Sequence, residues 1–97
     1  MKAYEQPNYR QIRVTFLGAT NTLGSRIKIY EPKRYNDDKV QSKVFSYDYS
    51  IGNVEDQVYK ILTDNGFKVV ARCSDVDNYI LLCDNWGDEF INIKNLK

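Results

Sequence analysis

One stretch of this chain has the periodicity of an amphipathic helix, and short segments that alternate like β-strands lie on both sides of it. Four apolar side chains share one face of residues 54–64 when these are wound as a helix: Val54, Val58, Ile61 and Leu62. Asn53 is a favourable N-cap, and Gly66 suits the left-handed position that ends many helices. A helix this short is not stable alone in water, so we expect its apolar face to pack on a sheet.

Six segments are predicted to be strands, three before the helix and three after it: residues 11–17, 26–30, 43–49, 67–73, 78–84 and 89–93. In the first of them Ile12, Val14 and Phe16 alternate with polar residues, as in a strand with one buried face. The order β-β-β-α-β-β-β predicts a single α+β domain, a curled antiparallel sheet of five to six strands with one helix packed on one face. Residues 1–9 are expected to form a loose N-terminal arm.

The first two strand segments after the helix are predicted to pair as a hairpin, and their nearly continuous apolar runs indicate central strands. With a turn near Val76, Cys73 lies opposite Tyr79. Cys83 then lies opposite Val69, which separates the two sulfur atoms too far for a disulfide, because a disulfide needs Cα atoms within about 7 Å of each other. We therefore expect two buried, reduced thiols.

The chain has no apolar run near the roughly 18 residues that a membrane helix needs, so no membrane partner is predicted. Residues 1–13 also lack the apolar core of a signal peptide. Together with reduced cysteines, these features predict a cytoplasmic protein.

Histidine does not occur in the sequence. Its absence excludes Ser-His-Asp triads, Cys-His pairs and zinc sites with imidazole ligands. The two cysteines are not spaced as a zinc knuckle, and no spacing picks out a catalytic pair of carboxylates. We expect a protein that is not an enzyme and that needs no cofactor or metal.

The net charge is only +1, but the charges are unevenly distributed. Residues 10–34 hold six basic residues against Glu31 alone, whereas residues 75–89 hold five acidic residues and no basic one. Alternation places Arg13, Arg26, Lys28 and Tyr30 on the outward face of two strands that are expected to pair. Cations interleaved with aromatic rings suit RNA or a single nucleic-acid strand, although a sequence pI near 7.7 is low for a dedicated binder.

Residues 18–26, Gly-Ala-Thr-Asn-Thr-Leu-Gly-Ser-Arg, form the most distinctive segment. It is not a Walker loop, because it lacks Gly-Lys-Ser/Thr and a strand follows it. Its backbone amides together with Arg26 could hold a phosphate. The alternative is a folded hairpin loop in which the glycines adopt positive φ, and Asn21 and the hydroxyls cap backbone amides. We expect the Arg26 guanidinium to reach loop carbonyls, an anion or a partner chain.

This loop, followed about twenty residues later by Ser46-Tyr-Asp-Tyr49, resembles a pattern in small uncharacterised proteins of bacteriophages and other mobile elements. Those proteins share a Gly-x-Thr-Asn-x-x-Gly-Ser-Arg loop between two strands, then a Tyr-Asp-Tyr or Tyr-Asp-His strand and a helix. The likeness covers residues 11–64 and implies a genomic context rather than a mechanism.

The sequence therefore favours a non-enzymatic accessory protein of a phage or mobile element that binds a protein partner, such as host machinery or a defence component. One alternative is a nucleic-acid-binding module that uses the basic strand pair, and another is a binder of phosphate or a small ligand at residues 18–26. Nine residues are candidates for binding: Arg13, Thr20, Asn21, Ser25, Arg26, Lys28, Tyr30, Lys33 and Arg34.

Overall fold

The computed structural model describes residues 2–32, 40–76, 78–86 and 89–97. Its five strands are β1 (Arg10–Leu17), β2 (Arg26–Glu31), β3 (Gln41–Ser46), β4 (Val69–Ser74) and β5 (Tyr79–Cys83). One helix, α1 (Val54–Asp64), lies between β3 and β4, and short 3-10 helices cover Ala3–Glu5 and Ile93–Asn95. The predicted α+β class, with one antiparallel sheet and one helix, is confirmed.

The strands form one open sheet in the order β3-β2-β1-β5-β4, and every pairing is antiparallel. Strand β1 is central, because it pairs with β2 on one side and with β5 on the other. Strands β3 and β4 are the two edges of the sheet. No helix among the described residues is long and apolar enough to cross a membrane.

Helix α1 has the bounds that its periodicity predicts, and both of its ends are capped. The Asn53 side chain accepts a hydrogen bond from the amide of Asp56 at 2.8 Å. At the other end Gly66 has a φ of 91°, its amide donates to the Thr63 carbonyl, and the Phe67 amide donates to the Leu62 carbonyl at 2.9 Å. This is the Schellman arrangement, and it directs the chain from the helix back toward the sheet.

The helix covers one face of the sheet, which we call the inner face. The apolar core lies between them and consists of Ile12, Val14, Ile27, Ile29, Val58, Leu62, Phe67, Leu81, Cys83, Ile93 and Leu96. The opposite face, which we call the outer face, carries the alternate residues of each strand and is not covered by α1. Most buried strand residues therefore lie on the inner face, although Ile80 on the outer face is also buried and Phe16 on the inner face is half exposed.

The hairpin of β4 and β5 differs from its predicted form in position and register. Strand β5 is internal as predicted, but β4 is an edge strand whose residues are exposed after the first. Cys83 does pair with Val69, but the register then shifts between Val69 and Ala71. The extra residue places Cys73 opposite Ile80 and not Tyr79.

Both cysteines are free thiols, as predicted, but only Cys83 is buried. Cys73 is exposed because it lies on the edge strand, which contradicts the expectation of two buried thiols. Burial raises the pKa of Cys83 to about 11, with smaller and opposing influences from Arg10 and Glu31.

The predicted sixth strand over residues 89–93 is wrong. Residues 90–92 have no regular structure, and Ile93 begins the second 3-10 helix. Side chains, and not a neighbouring strand, bind this backbone: Asn85 Nδ2 donates to the Glu89 carbonyl and Arg10 donates to the Ile91 carbonyl. Side-chain hydrogen bonds therefore hold this segment across the inner face, and we call residues 89–93 the strap.

Candidate functional site

The outer face brings together four of the predicted binding residues. The ladder between β1 and β2 pairs Arg13 with Tyr30, Thr15 with Lys28 and Leu17 with Arg26. Residues paired across a ladder share a face, so Arg13, Lys28, Arg26 and Tyr30 all project outward as the alternation predicts. Lys33 and Arg34, also predicted to bind, lie outside the described residues.

Three of these side chains form a line, which we call the cationic row: Arg13, Lys28 and Arg26. Lys28 and Arg26 are two residues apart on one strand, and Lys28 is the diagonal neighbour of Arg13 on the next strand. Each step is therefore roughly 7 Å. The row runs obliquely across β1 and β2 toward the end of the sheet at which β1 ends and β2 begins.

The outward positions around the row carry no carboxylate on β1, β2 or β3, all three of which the structure describes in full. Strand β3 contributes Ser42, Val44 and Ser46, which pair with Tyr30, Lys28 and Arg26 respectively. Toward β5 the face becomes apolar. The half of the sheet formed by β1, β2 and β3 is thus a cationic, hydroxyl-bearing surface.

The two ends of the cationic row differ in their electrostatic surroundings. At one end a guanidinium nitrogen of Arg13 lies 3.8 Å from a carboxylate oxygen of Asp75, and Arg13 also donates to the Gln11 side chain. At the other end the Nε atom of Arg26 is buried and has no hydrogen-bond acceptor in the described part of the chain. The expected contact of Arg26 with loop carbonyls is therefore not formed. A buried donor without an acceptor is uncommon. An oxyanion that bound to Arg26 would contact the terminal guanidinium nitrogens of this half-buried side chain.

Tyr30 is fixed by a small polar network near the Arg13 end of the row. Its hydroxyl donates to Asn78 Oδ1 at 3.0 Å, and the same oxygen accepts from the Thr15 hydroxyl at 2.8 Å. The Lys28 ammonium lies 5.7 Å from the centre of the Tyr30 ring. The ring and the ammonium are thus held together as one cation–π unit on the outer face.

The loop between β1 and β2 is folded on itself through Thr20. The Thr20 amide donates to the Leu23 carbonyl at 2.7 Å, and the Thr20 hydroxyl accepts from the amides of Thr22 and Leu23. Gly18 and Gly24 do not have positive φ, so that part of the hairpin-loop interpretation is wrong. Because these amides are used within the loop, they do not form an open phosphate nest. The exposed Asn21 and the half-buried Ser25 flank the site without joining the row.

The inner face holds a buried ion pair between Arg10 and Glu31 that was not predicted from the sequence. Arg10 and Glu31 are 1% and 6% exposed, and the Arg10 guanidinium donates to both carboxylate oxygens of Glu31 at 2.9 and 3.0 Å. The signal was present, because Arg10 has the same strand parity as Ile12 and Glu31 has that of Ile29. The ion pair was not predicted because Arg10 lies in the basic segment of residues 10–34, where a cation is more readily assigned to the surface.

An aromatic cluster was also missed as a unit. The ring of Phe16 meets the ring of Tyr47 edge to face, with 5.6 Å between centroids, and Tyr47 meets Tyr49 at 4.8 Å. Phe16 is 49% exposed and Tyr49 is 75% exposed. The three rings lie at the end of the sheet that also holds Arg26. Periodicity places Tyr47 and Tyr49 on one face of the predicted strand 43–49, which in the structure ends at Ser46, but it does not show that Phe16 joins them.

Among the described residues there is no group of three or more histidine, cysteine, aspartate or glutamate side chains that could hold a metal ion. The site therefore consists of the cationic row, its hydroxyl neighbours and the adjacent aromatic cluster. Comparison with known proteins gives no match to a protein-family model, to a curated protein sequence or to a solved structure.

Proposed function

We propose that this protein binds single-stranded nucleic acid on the outer face of its sheet, without a chemical step. The observation that supports this most directly is the cationic row on a surface that neither the helix nor a carboxylate of β1, β2 or β3 covers. Arg26 adds a half-buried guanidinium whose outward neighbours in the ladder are Leu17 and Ser46, neither of which carries a charge. Phosphate oxygens provide the charge and the acceptors that such a surface lacks.

The form of the surface favours a single strand over a duplex. A duplex is usually read by a helix or a two-stranded ribbon that enters a groove, whereas the outer face is a broad sheet. The cations follow one another along a line at roughly 7 Å steps, and a single backbone lying along that line would bring several phosphates to them in turn. Tyr30 and the neighbouring hydroxyls offer a ring and donors beside that line.

A protein partner is the second candidate, and the exposed edge strand β4 favours it. Val70 on that edge is 48% exposed, and an open edge can accept a strand from another protein. In this case the chain would act as the phage or mobile-element accessory protein that its loop motif suggests. Such binding would rest on backbone hydrogen bonds and would depend little on salt.

Salt dependence separates the two candidates. We would titrate labelled oligothymidylate and an RNA oligomer by fluorescence anisotropy between about 25 and 200 mM KCl. Three phosphate contacts predict a slope of about −2 for the logarithm of affinity against the logarithm of salt concentration. Arg26→Ala should reduce the steepness by about 0.7, since one contact is lost.

Lys60→Ala is the matched control, because it removes one exposed positive charge from the helix and not from the outer face. It should leave the slope unchanged. The absence of binding at the lowest salt, or an equal change in slope for Arg26→Ala and Lys60→Ala, would refute the proposal. Capture of a protein with salt-independent affinity would support the β4 edge instead.

A further inference from the structure

The two motifs of the sequence meet at one end of the sheet. In the ladder, Arg26 lies between Leu17 of β1 and Ser46 of β3. Phe16 precedes the first of these partners and Tyr47 follows the second, so their rings flank the position of Arg26 on the other side of the sheet. The Tyr47 amide also donates to the carbonyl of Ser25 at 3.0 Å. This hydrogen bond joins the Tyr-Asp-Tyr segment, residues 47–49, to the end of the loop of residues 18–26.

The segment that carries Tyr47 and Tyr49 is held rigidly. Gln57 of α1, only 5% exposed, donates to the Ser46 carbonyl at 3.0 Å and accepts from the Asp48 amide at 2.9 Å. The Asp48 carboxylate accepts from both the amide and the hydroxyl of Ser50. These hydrogen bonds lower the pKa of Asp48 and keep its side chain ionised in the turn.

These contacts account for Asp48, and Tyr47 is partly buried against the core, but the exposure of Tyr49 has no such explanation. Asp48 closes the turn, and Gln57 anchors it to the helix. The Tyr49 ring, by contrast, is 75% exposed, although the preceding residues are anchored to the helix by Gln57. An exposed ring that is already held in position by an edge-to-face neighbour loses little conformational entropy when a flat ligand packs on it.

We infer that the aromatic cluster of Phe16, Tyr47 and Tyr49 stacks the bases of the single strand whose phosphates contact the cationic row. This inference rests on the proposed function. The strand would pass over the end of the sheet beside the loop between β1 and β2, with a phosphate at Arg26 on the outer side and bases against the rings on the inner side. Because every base has a flat aromatic face, the cluster selects for unpaired bases and tolerates many sequences.

The test compares two ligands of equal length and charge, oligothymidylate and the same sugar-phosphate chain with abasic sites. Wild-type protein should bind oligothymidylate roughly 5- to 100-fold more tightly than the abasic chain, since stacking on a ring adds affinity for each base. Tyr49→Leu should remove most of this preference. Tyr49→Phe keeps the ring and should preserve it.

Two further readouts distinguish stacking from a general loss of binding. Tyr49→Leu should leave the salt slope unchanged, whereas Arg26→Ala should change the slope and keep the preference for bases. Tyr59→Leu is the matched control, since Tyr59 is also a half-exposed tyrosine but lies on the helix. It should alter neither quantity.

The possible failures are separable. Equal affinity for both ligands, with a slope near −2, would overturn base stacking and leave the proposed function intact. A base preference that survives both Tyr49→Leu and Phe16→Leu would place stacking elsewhere and also overturn the inference. No binding of either ligand at low salt would overturn both the inference and the proposed function.

Discussion

Arg10 and Arg26 are the first residues of β1 and β2, but their side chains lie on opposite faces of the same sheet and in opposite surroundings. The Arg10 guanidinium is fully enclosed and donates to Glu31 and to the carbonyls of Asn85 and Ile91. Its central carbon lies 4.0 Å from the centre of the Phe90 ring. Arg26 has no comparable set of acceptors among the described residues, and its Nε atom is buried without one.

The comparison shows which cation serves the fold and which remains available. Burying a charge is unfavourable unless hydrogen bonds and an opposite charge compensate for it, and Arg10 has both. Its acceptors are Glu31 of β2 and two carbonyls of the segment after β5, so one side chain fixes that segment to the sheet. Among the described residues the Nε atom of Arg26 makes no such link. This guanidinium therefore does not tie distant parts of the described chain together through Nε.

The largest expected effect is the loss of the buried pair. Arg10→Ala should lower the free energy of unfolding by roughly 3–5 kcal/mol, because it removes the bidentate Arg10 contact from the buried Glu31 carboxylate and releases the carbonyls of the strap. Urea unfolding followed by circular dichroism measures this change. A loss below about 1 kcal/mol would show that water or another cation replaces Arg10 and would break the comparison.

The second-largest expected effect is the loss of an apolar side chain from the core, compared with the loss of one from the outer face. Leu62 of α1 is fully buried, whereas Val44 on the outer face is 46% exposed. Leu62→Ala should cost roughly 2–5 kcal/mol through the cavity that it leaves, and Val44→Ala should cost under about 1.

Neighbouring helix residues test whether the buried side of α1 is assigned correctly. Ile61, which packs against the core from a half-buried position, should have an intermediate effect when replaced by alanine. Lys60→Ala should leave the unfolding midpoint near that of the wild type. Equal effects of Leu62→Ala and Lys60→Ala would mean that the helix faces the sheet with another side.

The cysteines provide a chemical probe of the same two faces. Cys73 is exposed, while Cys83 is fully buried and its pKa is raised to about 11 by burial. In native protein at pH 8, a thiol reagent should therefore modify Cys73 rapidly and Cys83 only as fast as the fold opens. Mass spectrometry of Cys73→Ser and Cys83→Ser variants assigns the sites. Two rapid modifications, or none, would contradict the burial of one thiol and the exposure of the other.

The local signals of the sequence were sufficient for the helix and for the parity of most strands. Periodicity gave residues 54–64, and Asn53 and Gly66 marked the ends, because caps depend on a few adjacent residues. The extra residue near Val70 was not predictable in this way. A bulge depends on how β4 fits its partner strand, and one extra residue changed the position of Cys73.

Long-range partners account for the other errors. Residues 89–93 have a strand-like composition, but Arg10 and Asn85 bind their carbonyls across the fold. The outward placement of Arg13, Arg26 and Lys28 on paired strands was predicted correctly, because it needs only alternation and the pairing of consecutive strands. The aromatic cluster needs the third strand and the turn after it, and its assembly therefore appears only in the folded molecule.

The smallest expected effect on stability, and the sharpest test of the comparison, is at Arg26. The described residues provide no hydrogen-bond acceptor for the Nε atom of Arg26. Arg26→Ala should therefore change the free energy of unfolding by less than about 0.5 kcal/mol. Arg26→Lys should fold equally well, because a lysine also keeps its stem on the sheet and its charge in water.

Binding should separate these two variants although stability does not. Arg26→Lys retains the positive charge but loses the planar fork and the Nε donor, so it should bind oligothymidylate more weakly with nearly the wild-type salt slope. Arg26→Ala should bind more weakly and with a shallower slope.

Arg13→Lys is the matched control, and its effect should be smaller because the Arg13 guanidinium already donates to Gln11 and lies near Asp75. If Arg26→Lys binds like the wild type while Arg13→Lys does not, the functional end of the row is at Arg13, and the unpartnered Nε of Arg26 is a feature of packing alone.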